Sequence, residues 1–155
     1  MEATMTFVLF FGFLFLIMDI SMAVFIRGDL QTAVEAGVRT GITETLGGSQ
    51  YLTDAIVATV ATNSKGFLTQ HAAQCTVQVQ YYDPDANPPG YVTTLSSGHN
   101  TILIVSVNNY AYHPMGPILQ GPEALSLSAV ATGAMQPCPN GSCPATTNPS
   151  SPSCP

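Results

Sequence analysis

Hydrophobic and polar positions divide the chain into an apolar opening, a periodic middle and an alternating second half. The 24 residues from Ala3 to Ile26 contain one ionisable side chain, Asp19. At about 1.5 Å per residue a helix of that length reaches roughly 36 Å, more than the roughly 30 Å of a bilayer's hydrocarbon core. After Arg27 the pattern becomes periodic: Leu30, Val34, Val38, Ile42 and Leu46 recur every four residues. This spacing continues the helix to about residue 46, where Gly47 and Gly48 end it. Small residues on this outer half, Ala33, Ala36, Gly37 and Gly41, let a neighbour pack closely, whether the chain's own domain or another subunit.

A second helix is predicted over 51–65, with Leu52, Ala55, Ile56, Thr59 and Val60 on one face and Ser49 or Thr53 as candidate caps. Asn63 to Gly66 reads as its end. Three strands follow. In "CTVQVQYY" (75–82) Cys75, Val77, Val79 and Tyr81 alternate with polar partners, "TILIVSVNNY" (101–110) is apolar on both faces at its start, and "ALSLSAVATGA" (124–134) alternates again. The connections carry no helical period, so the strands are expected to pair antiparallel. The expected fold class is α+β: a membrane-spanning helix (1–27), a head over 28–136 with helices 28–46 and 51–65 and a three-stranded antiparallel sheet, and a tail over 137–155. The tail, "PCPNGSCPATTNPSSPSCP", holds six prolines and no apolar period.

Composition narrows the function. Three Lys and Arg stand against nine Asp and Glu, for a net charge of −6, so no basic patch exists to neutralise phosphates and nucleic acid is not an expected partner. Surface polarity must come from Thr, Ser, Asn and Gln, which fits an exported head. The four cysteines, Cys75, Cys138, Cys143 and Cys154, are disulfide candidates in an oxidising compartment. Cys138–Cys143 with Cys75–Cys154 is the preferred one of three pairings, and a zinc site built on "CPNGSC" is the alternative. Against a signal peptide stand the length of the apolar run and the lack of a positive n-region, although Ser21-Met22-Ala23 makes a small-x-small cleavage pattern. Arg27 and Arg39 follow the run, which by charge alone favours a cytoplasmic head; the cysteines and the neutral surface favour export, with a basic leader expected before Met1. Asp19 reads either as an acid tolerated near the interface or as a subunit contact.

Candidate chemistry is sparse. Asp83, Asp85 and Asn87 have the alternate spacing that opens a calcium loop, but Pro88 stands where the loop needs Gly and Thr94 where it needs Glu, so the segment reads as a hairpin connection. His71, His99 and His113 lie in separate segments without metal spacing and read as ordinary loop histidines. Asn140 begins a glycosylation sequon. No GxSxG elbow or Gly-rich phosphate loop occurs. An enzyme is not expected, and no cofactor is.

The stretch "FIRGDLQTAVEAGVRTG" resembles the region after the membrane helix in TadE/TadG-like proteins, minor pseudopilins of bacterial tight-adherence pilus and secretion systems. The matching residues are Phe25, Arg27, Leu30, Ala33, Gly37 and Arg39, with Asp19 near the end of the apolar run and Glu2 just before it. "ILIVSVNNYAYHPMGPILQGPEALSLSAVATGAM" is similar to the family's pair of strands joined by a proline-containing connection. Val8 stands where many members have Pro. The resemblance implies a pilin-like, non-catalytic subunit of the inner membrane or a pilus, single-pass with its head exported. It also implies other pilin-like subunits or assembly proteins as partners in a homo- or hetero-oligomer. Glu2, Asp19, Arg27, Ala33, Gly37 and Arg39 would then be its assembly or helix contacts. The alternative is a membrane-anchored extracellular binding module that recognises a ligand through the 83–100 loop and the tail.

Overall fold

The computed structural model describes residues 2–43, 51–68, 76–95, 98–114 and 125–136, with side chains from Thr6 onward. Helix α1 runs unbroken from Glu2 to Thr43, α2 from Leu52 to Asn63, and four strands follow: β1 (Val77–Asp83), β2 (Gly90–Val92), β3 (Thr101–Tyr112) and β4 (Leu125–Met135). The result is α+β, with both helices on one face of an antiparallel sheet of order β2-β1-β3-β4.

The expected three strands become four. β2 was missed because three residues are too few to show alternation; it forms by pairing with β1, Asp83 opposite Gly90 and Tyr82 opposite Tyr91, with the two tyrosine rings edge to face at 5.6 Å. The 83–90 connection is the expected hairpin. β3 also runs two residues past its expected end. Between Val107 and Tyr110 it carries one residue more than β4, with Asn109 at φ 57, and this bulge turns Tyr110 and Tyr112 back to the inner face.

α2 runs back along α1. Gly37 of α1 lies where a Cβ would stand 2.6 Å from Val60 Cγ2, and a Cβ on Gly41 would collide with Leu103. Across the layers, a Cβ on Gly133 of β4 would meet Val38 Cγ1 at 2.6 Å and would strike Ile42. These contacts close the core around Leu30, Val34, Leu52, Ile56, Val60, Leu103, Val105 and Val107, all buried. The expected cap role of Thr53 is not its role: the N-cap is Tyr51, and Thr53 sits inside α2, its hydroxyl 3.1 Å from Tyr81 OH. Burial raises the Tyr81 phenol pKa, against the smaller lowering by Thr53. α2 stops as expected, with Lys65 and Gly66 in the left-handed region at φ 51 and 89.

Candidate functional site

The membrane-sized part of α1 and the head meet over about two turns of helix. Residues Phe7 to Phe25 expose large apolar side chains on every face, and α1 is long and apolar enough to cross a membrane, a property shared by membrane spans and N-terminal signal sequences. Asp19 is the exception within this stretch. It is 5% exposed, while its neighbours Met18 and Ile20 are more than half exposed. At the head's lower end Tyr112, the last residue of β3, is buried too and near enough to feel the charge of Asp19. The Tyr112 phenol is pushed up by its burial and then by the Asp19 charge beside it. Ala23 is half-buried and Ile26 buried on the same side.

One turn further on, Asp29 is 8% exposed, and its Oδ1 accepts a hydrogen bond from Lys65 Nζ at 2.7 Å. Asp29 Oδ2 has no partner among the described residues. Lys65 also stands 5.5 Å from the centroid of Phe25, and Phe25 meets Phe67 edge to face at 6.3 Å. The junction therefore combines aromatic rings, a half-satisfied carboxylate and one of the chain's three cations. Reading the sequence missed this cluster. Its one visible signal was that Lys65 is the only lysine in the chain and stands at the end of α2 beside Gly66-Phe67.

The other sequence candidates do not converge on the junction. Gly37 is buried under the chain's own α2 and Ala33 is buried in the same core, while Arg27 and Arg39 are exposed on α1. Glu2 begins α1, and its side chain lies outside the described residues, as do Cys75, Cys138, Cys143 and Cys154, His71, Asn140, the Gly47-Gly48 helix stop and the 137–155 tail.

At the opposite end of the sheet the strand period puts Asp83 on the inner face after Val77, Val79 and Tyr81, and a buried carboxylate needs a partner. His99 supplies it, with Nδ1–H donating to Asp83 Oδ2 at 2.7 Å. The backbone N–H of Asp85 donates to Asp83 Oδ1 at 2.9 Å, and Asn100 donates its backbone N–H to Asp85 Oδ2 at 3.0 Å. The hydrogen bond from His99 holds the Asp83 carboxyl below its ordinary pKa; the same bond, then the Asp83 and Asp85 charges, raise the imidazole above its own. The two acids of the calcium-like spacing thus tie the β1–β2 hairpin to the start of β3. Among the described residues no group of three or more His, Cys, Asp or Glu is arranged to hold a metal. Alternation alone could have flagged Asp83, because it lands on the buried side of a strand.

No protein family, curated protein or solved structure matches the chain.

Proposed function

We propose that the chain is a non-catalytic, membrane-anchored assembly subunit, pilin-like in organisation as its TadE/TadG resemblance implies, with its head exported. One observation carries the reading: a single helix is bare of its own head over its first half and is the spine of that head over its second. A helix apolar on all faces is buried in protein or in lipid, and the described residues leave its large apolar side chains exposed. Retention of the apolar half is supported by Asp19 and Ala23. Cleavage after Ala23 would remove two residues that the head covers. Lipid or neighbouring helices are then the cover for Phe7 to Phe25, and the head supplies specificity.

A photo-crosslinker in place of Leu9, in membranes of the cell that makes the protein, tests the assembly reading. Adducts of defined stoichiometry with a second apolar-helix subunit are expected; adducts with lipid alone would reject assembly and leave an anchored binding module. That second reading has its own support. The sheet face turned away from the helices carries Gln78, Gln80, Tyr82, Ile104, Ser106 and Thr132 without a charge, and Tyr91 on it is 69% exposed.

A further inference from the structure

Contact between α1 and the head begins at Asp19, but the exposed apolar surface of α1 does not end there. Ile20, Met22 and Val24 remain exposed beyond it, Phe25 is half-exposed while its ring meets Phe67, and Arg27 is the first cation after them. From Glu2 to Asp19 is 17 residues, about 26 Å of helix, which falls short of a hydrocarbon core of about 30 Å. Keeping Glu2 at or outside the core puts the far boundary near Met22, and any tilt moves it further towards Arg27. Asp19 then lies about one turn below the boundary, so the part of the head nearest it reaches that boundary.

Resting on the membrane reading above, we propose that the lower end of the head is itself a lipid-interface surface, seated in the headgroup layer of the bilayer that α1 crosses. Tyr112 is buried near Asp19 there. Leu125, its partner across β3 and β4, presents a 50% exposed apolar side chain at the same level. Phe25 and Phe67 add the aromatic rings favoured at such a boundary. Exposed Arg27 and the two-thirds exposed side chain of Lys65, which also holds buried Asp29, stand at this end, where lipid phosphates would meet them, while among the described residues the exposed acids Glu35, Asp54 and Asp85 lie further along the head. Ser21, on the apolar stretch, is satisfied within the helix by donating to the Ile17 carbonyl at 2.7 Å. The covered acid at position 19 is thereby explained: the head reaches down to it, so it never meets lipid.

The chain has no tryptophan, so single tryptophans report position without background. Full-length protein carrying Phe13→Trp, Leu125→Trp or Tyr91→Trp is placed in phosphatidylcholine–phosphatidylglycerol vesicles with lipids brominated at different depths. Phe13→Trp is expected to lose most of its emission to deep quenchers and Leu125→Trp to shallow ones. Tyr91→Trp, about 30 Å away at the far end of the sheet, should be untouched. If Phe13→Trp is not quenched, the membrane reading fails and this proposal with it. If Phe13→Trp is quenched but Leu125→Trp behaves like Tyr91→Trp, the proposal fails alone. Blue-shifted but unquenched emission from Leu125→Trp would mean that protein covers this end, which also overturns it.

Discussion

The two halves of α1 share one backbone and obey different rules. Up to Phe25 the helix is apolar around its circumference and almost untouched by its own chain, so side-chain identity matters there mainly through hydrophobicity. From Ile26 onward one face is sealed by α2, β3 and β4, and single atoms decide what fits: Gly28 has open space where a Cβ would be, whereas nine residues later Gly37 has none. Secondary structure is thus uniform along a helix whose packing is not. A residue's consequence follows from what lies against it.

The largest test of that contrast pairs two leucines. Leu103→Ala, in the sealed core, is expected to cost about 3 kcal/mol in denaturant unfolding of the detergent-solubilised protein. Leu9→Ala, on the bare half, should leave head unfolding within about 0.5 kcal/mol of the parent. Equal effects would mean that the head does not fold independently of the bare half's surroundings. Next comes Gly37→Val, expected to cost about 2 kcal/mol because Val60 is β-branched and cannot swing aside.

Smaller still is the pH response at the far end of the sheet. Because the folded His99 pKa is raised, its contribution is full below about 6.5 and fades as pH rises through the raised value. Because the Asp83 pKa is lowered, its contribution is present above about 3.8 and fades as pH falls through the lowered value. Protection of the Asn100 amide, followed by hydrogen exchange, should therefore be greatest between those limits after correction for intrinsic exchange. In His99→Gln the loss on the alkaline side should disappear. The smallest effect sharpens the comparison from the other direction: Gly28→Ala should stabilise α1 by about 1 kcal/mol, since helix propensity is gained and nothing is struck. Destabilisation instead would reveal a neighbour at that position in the assembled protein.

Much of the architecture was legible in the sequence because period alone carries it. The four-residue spacing from Leu30 and the alternation in 75–82 and 124–134 predict a helix and strands within a few residues of where they lie. β2 escaped because three residues hold no period, and the end of β3 escaped because a bulge at Asn109 breaks the alternation a reader would follow. The junction was harder to see. Asp29 and Lys65 are 36 residues apart, and Asp83 and His99 are 16 apart, so no local pattern links either pair.

By itself, then, the sequence determined that a membrane-sized helix continues into an α+β head, because hydrophobic period and length are properties of one segment read alone. Only the tertiary structure decided that Gly37 seats the chain's own α2, that Tyr112 comes to rest near Asp19, and that Asp83 is answered by His99. Those outcomes depend on which distant segment comes to rest on a face, and burial of a face can be read from its spacing while the identity of its neighbour cannot.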